Sequence, residues 1–260
     1  MDLSKSASAL GLYKYNCVRP EGDLFSHFYS TILSQLGSCG VSPTYIGAGG
    51  IGYSGKLEKF GGRIHSKLVN SRFFNVNLIS VAANPTGSEE PAYDGYANAS
   101  LSYVDANNEL LMCIVINESF VKIHSLEFQN LIHSQIKIHE FDFGYGFSSE
   151  IEKRPDFHIL GLDNGKLSSD EYESLCKWYD ATGEVRTTVL RDVYPYNILN
   201  EKQLDAQLSD GITLRQFAQR RPGSSLVRLT DYGLHLWRVP DAEVTKLRML
   251  LFGSSILLSR

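Results

Sequence analysis

The stretch ASLSYVDANNELLMCIVINESF, residues 99–120, constrains the fold more than any other part of the chain. Apolar positions stand on both sides of a polar DANNE turn, the pattern of a β-hairpin. Its second arm holds the longest apolar run, LLMCIVI, which is far too short to span a bilayer. A helix is expected next, over HSLEFQNLIHSQ, where Leu126, Leu131 and Ile132 share one side. IKIHEFDFGYGF then reads as a strand, because Ile136, Ile138 and Phe141 alternate with polar residues.

SSLVRLTDYGLHLWRVP, residues 224–240, predicts a second hairpin, with Gly233 where a positive φ costs least. His235 and Trp237 share one face of it, in a packing role. DAEVTKLRMLLF follows as a helix with a stripe of Val244, Leu247, Leu250 and Leu251, capped by Asp241 and stopped by Gly253. SSILLSR closes as a strand. The order hairpin, helix, strand therefore occurs twice. Upstream of each copy a strand and a helix are expected: GLYKYNCV and GDLFSHFYSTILSQLG, then DFHILGL and SSDEYESLCKWYDATG. Ser168 with Glu171, Asn200 with Gln203, and Thr213 with Gln216 have the spacing of capping boxes. The expected class is α+β: two pseudo-repeated split β-α-β units with antiparallel sheets and packed helices. The halves would be 1–140 and 141–260, either separate or one continuous domain.

The 260 residues are 43% hydrophobic and 21% charged, ordinary for a globular chain with a core. A net charge of -4 argues against a generic partner among nucleic acids or anionic membranes. Cys17, Cys39, Cys113 and Cys176 form no C-x-x-C pair and read as free thiols in a reducing compartment. MDLSKSASALGLYKYN lacks the apolar core of a secretory signal, so a cytoplasmic location is expected.

Several short motifs carry the outline of a chemistry. In YIGAGGIGYSGKLEKF, residues 45–60, Gly47, Gly49 and Gly52 fit G-x-G-x-x-G, and Gly50, Gly55 and Lys56 fit the start of G-x-x-x-x-G-K-[ST]. A dinucleotide fingerprint needs an unbroken helix after it and an acid roughly 20 residues on. Gly61 and Gly62 interrupt the expected helix, VNSRFFNVNL supplies no acid, and Leu57 replaces the magnesium-binding hydroxyl. A flexible or tightly turning loop is the better reading, and no cofactor is expected. Asp142-Phe143-Gly144 matches the kinase metal triplet, and Arg191, Asp192 and Asn197 match the spacing of the kinase catalytic loop. Their order is reversed, since the catalytic loop must come first. RDVYPYN reads instead as an ordered strand-to-helix connection, with Pro195 fixing φ. The seven histidines include no i, i+4 metal pair, no G-x-S-x-G occurs, and no metal or catalytic residue is assigned.

At VLRDVYPYNILNEKQLD, GITLRQFA, LHLWRVP and DAEVTKLRMLLFGSSILL the chain resembles immunity-type proteins of bacterial polymorphic-toxin and type VI secretion systems. The likeness covers roughly the C-terminal third and lies in the layout of elements. It implies a non-enzymatic protein that binds a cognate toxin and blocks its active site, and it carries over no site residues. The acidic segment 84–100, with Glu89, Glu90, Tyr93 and Asp94, could enter a basic cleft of such a toxin. It also fits an ordinary solvated loop. Two other classes stay open: an enzyme of a nucleotide or phosphorylated ligand using Gly47–Lys56, and a scaffold protein of a phage or secretion assembly.

Overall fold

A computed structural model describes residues 5–50, 53–69, 76–83, 96–163 and 165–258. The expected hairpin forms from β5 (Ala97–Val104) and β6 (Glu109–Asn117). All nine residues of β6 are buried, whereas β5 alternates buried positions with half-buried ones and ends at exposed Val104. A continuous apolar run with no polar side is what a strand covered on both faces requires. Its neighbour β1 (Ser6–Lys14) is buried from Ser6 to Tyr13 and pairs antiparallel with β6 on one side and β7 (Phe143–Glu150) on the other.

Around this centre a ten-stranded sheet forms among the described residues, in the order β3-β2-β4-β5-β6-β1-β7-β8-β10-β9. The remaining strands are β2 (Tyr45–Gly49), β3 (Tyr53–Lys56), β4 (Leu78–Ala83), β8 (Tyr196–Leu199), β9 (Ser225–Arg228) and β10 (His235–Arg238). Each pairing is antiparallel. One sheet holds strands from both sides of residue 140, because β1 joins β6 to β7. The α+β class and the antiparallel sheet with packed helices are as expected.

The alternation of β1 sorts its side chains into two cores. Leu10 and Leu12 face the core that α1 (Gly22–Ser38) also lines, with Phe25, Phe28, Ile32 and Leu36 as its inward stripe. α2 (Leu57–Val69) adds Ile64 and Leu68, and α3 (Leu126–Gln135) adds Phe128, Leu131 and Ile132. Ala7, Ala9 and Tyr13 face the opposite core, where Ile159 of α4 (Pro155–Leu160) and Trp178 of α5 (Ser169–Asp180) lie. A third core gathers Trp237 of β10 with α7 (Glu201–Asp205), α8 (Leu214–Gln219) and α9 (Asp241–Leu251). His235 and Trp237 are both buried, as their shared face predicts.

All three expected capping boxes form, at Ser168, Asn200 and Thr213. Elsewhere the structure differs from expectation, each time for a local reason. DFHILGL is a helix, not a strand: Pro155 occupies its first turn and Gly161, at φ 70°, ends it. The strand expected from Ile136 begins only at Phe143, because 136–142 turns out of α3. SSILLSR makes a single parallel bridge, Leu190 to Leu257, rather than a strand. Asp241 does not cap α9. It is the first helical residue, and its carboxylate accepts from His124 at 2.7 Å. Leu126 and Leu250, expected inside, are 67% and 51% exposed.

The glycine-rich stretch also differs. Strands β2 and β3 form a hairpin, not a loop, and α2 runs without a break through Gly61 and Gly62. A Cβ on Gly61 would stand 2.9 Å from the Tyr29 hydroxyl of α1. Close approach of two helices thus accounts for a residue that is otherwise poor in a helix interior.

Leu12 is fully buried. Leu12→Ala is expected to cost about 3 kcal/mol and lower the melting temperature by roughly 10 °C, read by thermal denaturation. Leu126→Ala, on the surface, should change stability by less than about 0.5 kcal/mol.

Candidate functional site

Residues two apart on a strand point the same way. Tyr13 of β1 and Tyr15, one residue past its end, therefore lie on one face, and Phe143, Tyr145 and Phe147 leave β7 on the same face. The register sets Tyr13 opposite Phe143, and their rings stack 4.9 Å apart. Tyr194 stacks on Tyr145 at 4.3 Å, and Trp178 meets Tyr13 and Phe143 edge-on at 6.1 and 5.9 Å. Such offset and edge contacts satisfy the ring quadrupoles.

Two arginines clamp Trp178. The Arg186 guanidinium carbon lies 5.1 Å from the indole and that of Arg191 5.4 Å. Arg186, at the end of α6 (Gly183–Arg186), donates to the carbonyls of Trp178 and Tyr179 at the C-terminus of α5, and to the Tyr15 hydroxyl. It thereby satisfies carbonyls that a helix end leaves open and complements the negative end of the helix dipole. Its carboxylate partner is buried Glu109, 3.7 Å away. Burial pushes the Glu109 carboxyl up, and Arg186 opposes that rise.

Arg191, itself buried, donates to the Tyr145 hydroxyl and to the His158 carbonyl. Tyr13 donates to the Ile159 carbonyl at 2.6 Å and also stands 2.6 Å from the Tyr145 oxygen. One hydroxyl proton cannot serve both, so the proton between the two phenols belongs to Tyr145. The His158 ring lies 2.9 Å from the Tyr194 hydroxyl. Burial first, and Arg191 second, hold the His158 imidazole well below its usual pKa, while burial raises Tyr13, Tyr145 and Tyr194. These groups are neutral at pH 7 and act as fixed hydrogen-bond partners. A cavity of about 10 Å³ beside Arg191, Tyr145, Tyr194 and Asn197 has room for one water.

The residues singled out by motif are spent on structure. Asp142 accepts from the Lys14 ammonium at 2.9 Å and from the Tyr15 amide at 2.8 Å. Asp192 accepts from Arg248, and the Asn197 side chain clasps both backbone polar groups of Tyr194. RDVYPYN is an ordered connection, but it leads into strand β8, with Asn200 then capping α7. In the glycine-rich hairpin, Tyr45 pairs with Lys56, Ile46 with Gly55 and Gly47 with Ser54, and the first amide of α2 donates to the Thr44 carbonyl. The described backbone of this stretch is laid out as a ladder, and the connection at residues 51–52 lies outside the described residues.

The Cys17 thiol sits 3.7 Å from His139, yet it donates to the Val18 carbonyl. Burial raises the thiol and lowers the imidazole, so the pair is neutral. Among the described residues no group of three or more His, Cys, Asp or Glu is placed to hold a metal ion, and no helix is long and apolar enough to cross a membrane. Glu89, Glu90, Tyr93 and Asp94 lie outside the described residues. The arginine-aromatic cluster was not singled out from the sequence. Its one legible trace is the i, i+2 spacing of aromatics in YKY and FGYGF.

Below about pH 6.5 the unfolded chain protonates His158 while the folded protein resists. The stability that comes from the neutral imidazole is complete above that pH. It is lost as the pH falls, by about 1.4 kcal/mol per unit. Urea unfolding at pH 7, 6 and 5 should show this slope, and His158→Gln should remove it.

No protein-family model matches the chain, and no curated protein sequence does. Among solved structures, a Pseudomonas aeruginosa T6SS protein, PA0821, shares the fold with a TM-score of 0.63. The match covers 97% of this chain and 77% of that one at 12% identity. The chain therefore shares the fold of that protein across almost all of its length.

Proposed function

We propose that this chain is a non-enzymatic immunity protein that binds a cognate bacterial toxin and covers its active site in the cytoplasm of the producing cell. The observation that carries this reading is the fold shared with a T6SS protein over 97% of the chain. The C-terminal layout supports it from a second direction, since VLRDVYPYN, LHLWRVP and the last helix are the parts that resemble immunity-type proteins.

The physical chemistry of the interior is compatible with binding. His158, the buried tyrosines and both clamping arginines are held neutral or hydrogen-bonded inside the fold, where they stiffen it. A stiff surface loses little entropy on association, so shape and charge can set affinity. A net charge of -4 favours a partner that is basic where it is contacted.

The test is co-expression with the product of the gene immediately upstream. The reading predicts that cells killed by that product survive when this chain is present. The two purified proteins should also form a complex with a dissociation constant on the order of nanomolar. Absence of both protection and binding would remove the immunity reading.

A further inference from the structure

Helix α5 has two unlike sides. Leu175 and Trp178 are buried, while Tyr172, Cys176 and Tyr179 lie at i, i+4 and i+7 on the outward side. Tyr172 is 50% exposed and Tyr179 is 70% exposed. Leu162 before the helix and Val185 after it are also exposed. Residues this large and apolar, on an ordered helix, resemble the aromatic anchors that dominate protein interfaces.

Charge is concentrated on the same segment. Residues 163–184 hold six acids, Asp163, Asp170, Glu171, Glu173, Asp180 and Glu184, against two lysines. All six acids are exposed. The segment's net charge of six acids against two bases equals the -4 of the entire chain, so the remaining acids and bases balance.

The platform is also rigid. A capping box fixes its start, and the two arginines hold Trp178 and the carbonyls at its end. We infer that the outward face of α5 docks a positively charged protein surface, with Tyr172 and Tyr179 as anchors and the surrounding carboxylates as the complementary field. This inference rests on the binding reading above for the existence of a partner. It differs in placing the contact on α5 rather than on Glu89, Glu90, Tyr93 and Asp94.

The test uses the purified product of the gene immediately upstream as the probe, with affinity measured at two salt concentrations. Tyr172→Ala/Tyr179→Ala should weaken binding about 100-fold. Asp180→Lys/Glu184→Lys should slow association about tenfold and flatten its salt dependence. Both variants change exposed residues, so circular dichroism and the melting temperature should match wild type. Glu89→Lys/Glu90→Lys/Asp94→Lys should stay within about threefold of wild type. If both α5 variants bind like wild type, the α5 face is wrong while the immunity reading stands. If wild type neither binds nor protects, both fall.

Discussion

The structure depends on β1 being covered on both faces and paired on both edges. Its eight residues from Ser6 to Tyr13 are buried, and its two neighbours, β6 and β7, both lie about a hundred or more residues further along the chain, with α3 between them. An antiparallel strand in this position must present apolar groups to both sides, and small ones where helices come close. SASALGLY does this: Leu10 and Leu12 fill the core shared with α1, α2 and α3, while Ala7, Ala9 and Gly11 let α4 approach on the other side. A Cβ on Gly11 would come within 2.9 Å of Ile159.

The same strand organises the arginine-aromatic cluster. Tyr13, at its end, and Tyr15, just past it, project toward Trp178, Tyr145 and both arginines. Burying two guanidinium groups is costly unless their donors are met. Arg186 meets two carbonyls, a phenol and Glu109, and Arg191 meets a phenol, a carbonyl and an indole face. The result fixes the inner side of α5 and so the direction in which Tyr172 and Tyr179 point. Chain order, core packing and the proposed docking face are thus links of one sequence.

Much of the fold was legible because its signals are local. Both expected hairpins and all three capping boxes follow from spacing within a few residues. The errors arise where tertiary contact overrides a local rule. Gly61 breaks an isolated helix but allows α1 and α2 to touch through Tyr29. Asp241 has the chemistry of a cap but is taken by His124, 117 positions away in sequence. The β2–β3 hairpin is glycine-rich, so it carries little side-chain alternation to read. Pro155 and Gly161 did mark a helix, and the apolar alternation of DFHILGL concealed it. The cluster around Arg191 joins residues from β1, β7, α4 and α5, which no spacing rule connects. The acids of 163–184 are visible in the sequence, but only the burial of Trp178 tells which side of α5 faces out.

Native-state hydrogen exchange tests the central claim most directly, that β1 locks both sides of the sheet and the α5 platform into one cooperative unit. Amides of β1, β6 and β7 should then exchange together, at the free energy of global unfolding, with those of α5 close behind. Separate exchange of the β7–β10 side at a distinctly lower free energy than the β1–β6 side would contradict it.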